Sequence, residues 1–208
     1  MFNIEVIDLG INNISSVVRA LNQQDNVRVT VVQTASDSNE PSLLVLPGLG
    51  YYEKGIHALE TKGFRSLLVN AATADTPIAG ICLGMQLLGD SSEESPTAEG
   101  LGLIQGKCLR FPILKEERVP NVGWNSTFLQ KNQDEFSSLN SGSDFYFVHS
   151  YYFSPESNSD ILSTTKYGNM EFPSSILRNR VAGFQFHPEK SSQAGRKLIS
   201  DLVEWAKK

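Results

Sequence analysis

Apolar residues in the first half of the chain form short runs that alternate with segments of helical periodicity. Nearly continuous apolar runs occupy residues 2–8, 27–32, 43–46 and 78–81. Such runs are typical of strands that are buried on both faces of a parallel sheet. The intervening segments carry apolar residues at helical spacing: Ile14, Val17, Val18 and Leu21, then Ile56, Leu59, Leu67 and Leu68. The pattern predicts a mostly parallel central sheet flanked by helices.

Local signals set the expected ends of these helices. Asn12 or Asn13 is suited to cap the first helix, because a short polar side chain can accept from free N–H groups there. Gly63 is expected to interrupt the second helical segment. Residues 84–88 are expected to begin another helix directly after the apolar run at residues 78–81.

The second half of the chain has a different pattern, in which predicted strands are joined mainly by turns. Strands are predicted at residues 107–111, 145–153 and 181–186, the second of them rich in aromatic residues. Residues 90–100 are rich in Ser and Glu and predict an exposed loop, and residues 194–205 predict a closing helix. We expect a single α/β domain over residues 1–208, with an additional antiparallel part.

Composition places the chain among ordinary globular proteins. It has 208 residues, of which 40% are hydrophobic and 20% charged, and its net charge is −5. Lys and Arg form no run that would favour nucleic acid, and no stretch approaches the roughly 20 apolar residues of a membrane span. Two cysteines without a signal peptide predict reduced thiols and a cytoplasmic location.

The segment Gly80-Ile81-Cys82-Leu83-Gly84 predicts a thiol on a sharp turn between a buried strand and a helix. At such a turn the positive end of the helix dipole favours the thiolate, which is the attacking form of cysteine. The backbone N–H of Leu83 would face a developing oxyanion, as in a nucleophile elbow. By itself the segment is equally compatible with a small buried core residue, since free cysteine is often buried.

The segment His187-Pro188-Glu189 supplies an imidazole and a carboxylate two residues apart at the end of a predicted strand. A base beside a nucleophile, and a third group that orients the base, form the general pattern of covalent catalysis. A turn proline with a surface glutamate would also explain this segment alone. Together with Cys82, however, it favours a Cys-His-Glu triad.

Two further histidines and one glycine-rich turn are the remaining candidates for a functional site. His149 ends the aromatic strand and is a candidate to line the site, whereas His57 is expected to be an ordinary helix residue. The Pro47-Gly48-Leu49-Gly50 turn lacks the lysine of a phosphate loop but could donate a second N–H to an oxyanion. No His/Cys/Asp/Glu spacing suggests a metal, and we expect no cofactor.

Taken together, these segments resemble the class I glutamine amidotransferases. Residues Leu46 to Gly50 are similar to their oxyanion loop, Gly80 to Gln86 to their nucleophile elbow, and His187-Pro188-Glu189 to the rest of their triad. Further segments resemble one branch of the family, the glutaminase subunits of imidazole glycerol phosphate synthases: Ile7-Asp8-Leu9-Gly10 with Asn13, Ser91-Ser92-Glu93-Glu94, Gly100-Leu101-Gly102-Leu103, Val122-Gly123-Trp124-Asn125, Phe147-Val148-His149-Ser150-Tyr151 and Phe184-Gln185-Phe186.

The resemblance implies a role for each matched residue. Cys82 would attack the side-chain amide of L-glutamine, His187 would protonate the departing ammonia and then activate water, and Glu189 would orient His187. Backbone N–H groups of Leu49 and Leu83 would hold the oxyanion. The residues that would bind glutamine are Gly50, Gln86, Glu94, Ser150 and Tyr151. Among these, Glu94 would suit the ammonium group of the substrate and Gln86 its carboxylate end.

The resemblance also implies a partner, a separate (β/α)8-barrel synthase subunit that receives the ammonia in a heterodimer. A barrel of this type needs about 250 residues and cannot be part of this chain. The sequence departs from the branch pattern at Leu9, Asn12, Tyr51, Tyr52 and Asn121, positions expected around the substrate or partner face. These departures leave open ammonia supply for sugar amidation in surface-polysaccharide pathways. Two further alternatives also stay open: a non-catalytic partner on the same fold, and a thiol hydrolase of other γ-glutamyl substrates.

Overall fold

A mixed sheet forms the centre of the molecule. The computed structural model describes residues 1–11, 14–112, 118–130, 134–139 and 142–208, so the two candidate helix caps, Asn12 and Asn13, lie outside the described residues. The described strands are β1 (Phe2–Ile7), β2 (Val27–Val32), β3 (Leu43–Gly48), β4 (Ile78–Cys82), β5 (Ser91–Ser92), β6 (Gly106–Arg110), β7 (Asn121–Leu129), β8 (Ser143–His149), β9 (Tyr151–Pro155), β10 (Ile161–Tyr167), β11 (Met170–Arg178) and β12 (Val181–Phe184). The α-helices described are α1 (Ser15–Leu21), α2 (Tyr52–Thr61), α3 (Phe64–Thr73), α4 (Leu83–Leu87) and α5 (Ser192–Lys207).

Within the described residues the main sheet has nine strands in the order β2-β1-β3-β4-β12-β11-β10-β7-β8. The first five pair in parallel, as the apolar runs predicted. The last four are antiparallel to their neighbours. A smaller sheet pairs β5 with β6 in parallel and β6 with β9 antiparallel. The predicted fold class, an α/β fold with an additional antiparallel part, is confirmed.

Helices cover both faces of the parallel strands. Side chains of α1 and α5 pack with alternate residues of β1 and β3 in one apolar cluster, and those of α2 and α3 pack on the opposite face in a second cluster. Gly63 separates α2 from α3 with φ = 75°, a left-handed conformation that ends a helix at low cost in glycine. The predicted interruption is therefore confirmed. No helix in the described ranges is both long and apolar enough to cross a membrane.

Two expectations about the second half are wrong. Residues 145–153 do not form one strand, because Ser150 separates β8 of the main sheet from β9 of the small sheet. Residues 90–100 form mostly turns, but Ser91–Ser92 form the edge strand β5. In addition, β7, β10 and β11 occupy segments for which the apolar pattern predicted no strand.

Two of the five departures from the branch pattern lie in the core. Leu9 is 2% exposed and Tyr52 is fully buried, and both belong to the cluster that includes α2 and α3. Leu9 and Tyr52 therefore form no part of an exposed surface that a partner could contact. Tyr51, in contrast, is 64% exposed, and Asn121 lies buried at the start of β7.

Candidate active site

Cys82 lies where β4 ends and α4 begins. Its backbone has φ = 54° and ψ = −111°, a conformation that L-residues rarely adopt, and its side chain is buried. Strain of this kind persists where the surrounding structure enforces it and is concentrated at functional sites. The turn has the strand-to-helix arrangement of a nucleophile elbow. The structure thus supports the interpretation of Cys82 as a positioned nucleophile over that of an ordinary core residue.

Glycines allow the helix after Cys82 to approach the sheet closely. A Cβ atom on Gly84 would lie 1.7 Å from the carbonyl oxygen of Leu46 in β3, and one on Gly80 would lie 2.7 Å from backbone atoms of Gly84. Gly48 faces Leu83 in the same way, at 2.8 Å from its Cβ. These glycines are therefore required by the close packing of neighbouring chain segments.

Hydrogen bonds from the backbone and from the ring hold His187 in place. Its backbone N–H donates to Tyr146 O at 2.9 Å, and its Nδ1 donates to Glu189 Oε1 at 2.7 Å. Both side chains of the pair are only 5% exposed. Because a carboxylate only accepts, this bond places a proton on Nδ1 and leaves Nε2 for chemistry.

The charges around His187 favour its protonated form. Burial by itself lowers the pKa of His187, but the charge and polar contact of Cys82, followed by those of Glu189, outweigh burial and raise the pKa. The pair can therefore supply both an attacking sulfur and a proton for a leaving group.

A cavity of about 340 Å³ opens beside Cys82 and gathers most of the predicted site residues. The lining includes the two predicted oxyanion donors and all five predicted substrate-binding residues: Leu49, Leu83, Gly50, Gln86, Glu94, Ser150 and Tyr151. It also includes His149 and Tyr51. As the first residue of α4, Leu83 has an N–H without an acceptor inside the helix. His57 lies on the exposed side of α2, as expected.

The carbonyl group of Tyr151 accepts two hydrogen bonds in the wall of this cavity. Gln86 Nε2 donates to it at 2.9 Å and His149 Nδ1 donates at 2.8 Å. Gln86 Nε2 also donates to Gln185 Oε1 at 3.1 Å, and Gln185 Nε2 lies 3.8 Å from Cys82 Sγ. A continuous set of hydrogen bonds thus links the junction between β8 and β9 to Cys82.

Sequence reasoning did not identify Gln185 as part of the site. The residue is fully buried and directly follows β12. The available signal was a single polar residue between two phenylalanines, two residues before His187. A buried amide must be hydrogen-bonded, so a polar residue in an apolar strand end indicates a polar partner nearby.

His149 is a neutral member of the wall. Burial lowers its pKa to about 4, and the charge of His187 acts in the same direction, while the bond to Tyr151 opposes both. With its proton on Nδ1, its Nε2 accepts from Asn121 Nδ2 at 3.2 Å. Asn121, which stands where the branch usually has histidine, therefore belongs to the buried wall of the site.

Glu94 connects the cavity to α2. Its Oε2 accepts from the backbone N–H of Tyr52 at 2.7 Å, at the start of that helix. A carboxylate at this end of a helix is stabilised by the free N–H groups and the dipole. The described residues contain no group of three or more His, Cys, Asp or Glu side chains that could hold a metal ion.

Comparison with known families agrees with the geometry of this site. The profile of the family described as glutamine amidotransferase class-I matches residues 5–204. The chain belongs to the class I glutamine amidotransferases, as the segments around Cys82 and His187 predicted.

Among curated relatives, the chain is similar to subunits of one enzyme. The imidazole glycerol phosphate synthase subunit HisH of Pyrococcus furiosus is 39% identical over 202 residues, which cover 97% of this chain and 98% of that protein. The subunit HisH 2 of Pseudomonas aeruginosa is 40% identical over 206 residues, which cover 97% and 98%. The predicted branch of the family is thus supported along almost the whole chain.

Solved structures share the fold at lower identity. A chain of PurLQS from Thermotoga maritima superposes with a TM-score of 0.77 at 17% identity, over 98% of both chains. A glutamine amidotransferase from the same organism superposes with a TM-score of 0.67 at 14% identity, over 99% of this chain and 92% of that one. At these identities the similarity concerns the fold alone.

Proposed function

We propose that this chain hydrolyses L-glutamine to glutamate and ammonia, and that it does so in the cytoplasm as the glutaminase subunit of an imidazole glycerol phosphate synthase. The observation that carries the proposal is the strained Cys82 beside the hydrogen-bonded His187–Glu189 pair, in which the contacts of Cys82 and Glu189 raise the pKa of His187. The similarity to HisH subunits over 97% of the chain supports the pathway.

The chemistry follows from the placement of these groups. The thiolate of Cys82 attacks the side-chain amide carbon, and the negative charge on the amide oxygen is stabilised by the N–H groups of Leu49 and Leu83. His187 gives its Nε2 proton to the departing ammonia, which leaves a γ-glutamyl thioester. The neutral ring then takes a proton from water, whose oxygen attacks the thioester and releases glutamate. Glu189 keeps the ring oriented through Nδ1 in both steps.

The hydrogen bonds of the wall favour one orientation of the substrate. Both amide protons of Gln86 are already used, one by Tyr151 and one by Gln185, so only its oxygen is free to face the cavity. An oxygen binds an ammonium group and repels a carboxylate. We therefore assign Gln86 to the ammonium end of glutamine together with Glu94, which differs from the role expected from the sequence.

Exposed apolar residues around the cavity fit a protein partner. Leu49 and Tyr51 are 41% and 64% exposed at its edge. Val122 and Trp124, next to the wall residue Asn121, are 55% and 51% exposed. Exposed apolar groups that cluster in this way are typical of interaction surfaces. A separate (β/α)8-barrel synthase docked here would cover the cavity and receive the ammonia.

One experiment tests the activity and the pathway together. The chain is combined with the barrel subunit of an imidazole glycerol phosphate synthase, and product formation is measured with glutamine and with ammonia. Cys82→Ala should abolish glutamine-dependent synthesis by at least about 1,000-fold, as removal of a triad nucleophile does, and should leave ammonia-dependent synthesis intact. The matched variant Cys108→Ala, which removes the other thiol, should keep glutamine-dependent synthesis.

The same experiment separates the alternatives. Glutamine use by Cys82→Ala would contradict the mechanism, and the absence of any glutamine hydrolysis by the wild-type chain would favour a non-catalytic partner. Hydrolysis of γ-glutamyl peptides in place of glutamine would favour a different thiol hydrolase. Glutamine hydrolysis that is not stimulated by the substrate of the barrel subunit would favour a role in sugar amidation, the alternative suggested by Asn121.

A further inference from the structure

Gln185 contacts Cys82 but has no role in the proposed reaction. Its side chain is fully buried and contacts two residues that line the cavity, Gln86 and Cys82. On one side its Oε1 accepts from Gln86, and on the other its Nε2 lies 3.8 Å from Cys82 Sγ.

The orientation of this amide follows from the partners of Gln86. The carbonyl group of Tyr151 can only accept, so the atom of Gln86 that contacts it must be the amide nitrogen. That nitrogen also contacts Gln185, whose facing atom must then be the oxygen. The NH₂ group of Gln185 is left pointing at Cys82 Sγ. Sulfur is therefore the acceptor, a role that suits the thiolate far better than the thiol.

We propose that Gln185 is a further catalytic residue, whose amide donates a hydrogen bond to the sulfur of Cys82 and stabilises the thiolate before glutamine binds. Hydrogen bonds to a charged acceptor are about twice as strong as neutral ones, and burial strengthens them further. His187 supplies the opposite charge and Gln185 supplies a neutral donor that cannot lose its proton. The same amide holds Gln86 at the substrate end of the cavity. The inference rests on the proposed function only in that Cys82 is the nucleophile.

The experiment measures the sulfur itself, without glutamine. The full chain is treated with iodoacetamide over a range of pH, and alkylation at Cys82 is followed by mass spectrometry in the wild type and in Gln185→Met. Methionine has a similar volume but no donor. We expect the midpoint of the rate–pH curve to move up by roughly one unit, the effect of losing one hydrogen bond to a charged group.

The predicted curves cross. A less stabilised thiolate is scarcer but more nucleophilic, and reactivity follows basicity with a slope of about 0.4–0.5. Alkylation of Gln185→Met should therefore be about threefold slower at low pH and about threefold faster at high pH. Gln185→Asn keeps an amide with a shorter reach and should give an intermediate curve.

Two built-in controls keep the result interpretable. Cys108 is fully buried, so its labelling reports unfolding, and it should stay unlabelled in each variant used. Gln130→Met removes an amide that donates to Thr164 and should leave the curve unchanged. A wild-type curve for Gln185→Met, with Cys108 unlabelled, would overturn the proposal and leave Gln185 a support for Gln86. That result would not touch the glutaminase assignment, which depends on turnover.

Discussion

The parallel and antiparallel halves of the main sheet bury their strands in different ways. In the centre of the parallel half every residue of β3, β4 and β12 is buried, and the helix that follows Cys82 packs against backbone through glycines. In the antiparallel half the buried positions are often hydroxyl groups: Thr127, Ser163, Thr165, Ser174 and Ser175. These hydroxyl groups bond to one another, Thr127 to Thr165 and Ser163 to Ser174, each at 3.0 Å.

The difference teaches what limits each half. Packing between backbones leaves no space for an added methyl group, so the parallel half is constrained by volume. Each buried hydroxyl group in a pair requires the other as its hydrogen-bond partner. The antiparallel half is therefore constrained by hydrogen bonding. The site draws on both, since Cys82 comes from β4 and the residues His149 and Asn121 come from β8 and β7.

The largest expected effect tests the volume limit. Gly84→Ala should destabilise the chain by more than about 3 kcal/mol, because its Cβ would overlap the carbonyl oxygen of Leu46 and force α4 away from β3. Chemical denaturation measures the loss. The control is Gly102→Ala, which has φ = 65° and ordinary contact distances, and should cost only about 1–2 kcal/mol of backbone strain. Equal losses in the two variants would refute the volume argument.

A smaller effect concerns the neutral His149 in the antiparallel wall. Folded His149 binds its proton with a pKa of about 4, whereas an unfolded histidine does so near 6.5. Between these values the unfolded chain binds more protons, so the contribution of His149 is complete above pH 6.5 and is lost as the pH falls towards 4. Acidification over this window should remove up to about 3 kcal/mol of unfolding free energy.

The measurement for His149 is the free energy of unfolding against pH for the wild type and His149→Gln, which keeps a donor and an acceptor but cannot titrate. His187 does not blur the difference, because its pKa is raised and its stabilisation is fully present below 6.5 and lost only at higher pH. His57→Gln, at an exposed histidine, serves as control. Identical slopes for wild type and His149→Gln would show that His149 is not buried as a neutral group.

The smallest effect concerns the hydroxyl pairs. Thr127→Val and Thr165→Val should each cost about 1–2 kcal/mol, because each leaves the other hydroxyl group buried and unpaired. The double variant should cost less than the sum, since no unpaired group remains. Denaturation of all four proteins completes a double-mutant cycle. Strict additivity would mean that volume, rather than hydrogen bonding, limits this half as well.

The same difference explains which parts of the fold could be predicted from the sequence. Apolar runs such as residues 43–46 and 78–81 reveal buried parallel strands directly. The strands β7, β10 and β11 were missed because most of their buried positions are Ser or Thr, which look like exposed positions until the partner hydroxyl group is known. Ser150 was missed as a junction because aromatic residues continue on both sides of it.

The site could be predicted as far as its chemistry depends on residue type. Cys82, His187 and the cavity residues were expected together, and the structure brings them together. The orientation of Gln86 could not be predicted, because it depends on a backbone carbonyl 65 residues away. The role of Gln185 could not be predicted for the same reason. It depends on contacts with Gln86 and Cys82 that form only in the folded chain.

The one-residue junction at Ser150 has a consequence for insertions and deletions. His149 pairs with Asn121 in one sheet, and Tyr151 pairs with Arg110 in the other. A single inserted or deleted residue here would shift one of these registers and turn its side chains to the opposite face. Homologous recombination or loop grafting at this point therefore has to conserve length, whereas the half-buried residue 150 itself can be exchanged without moving either sheet.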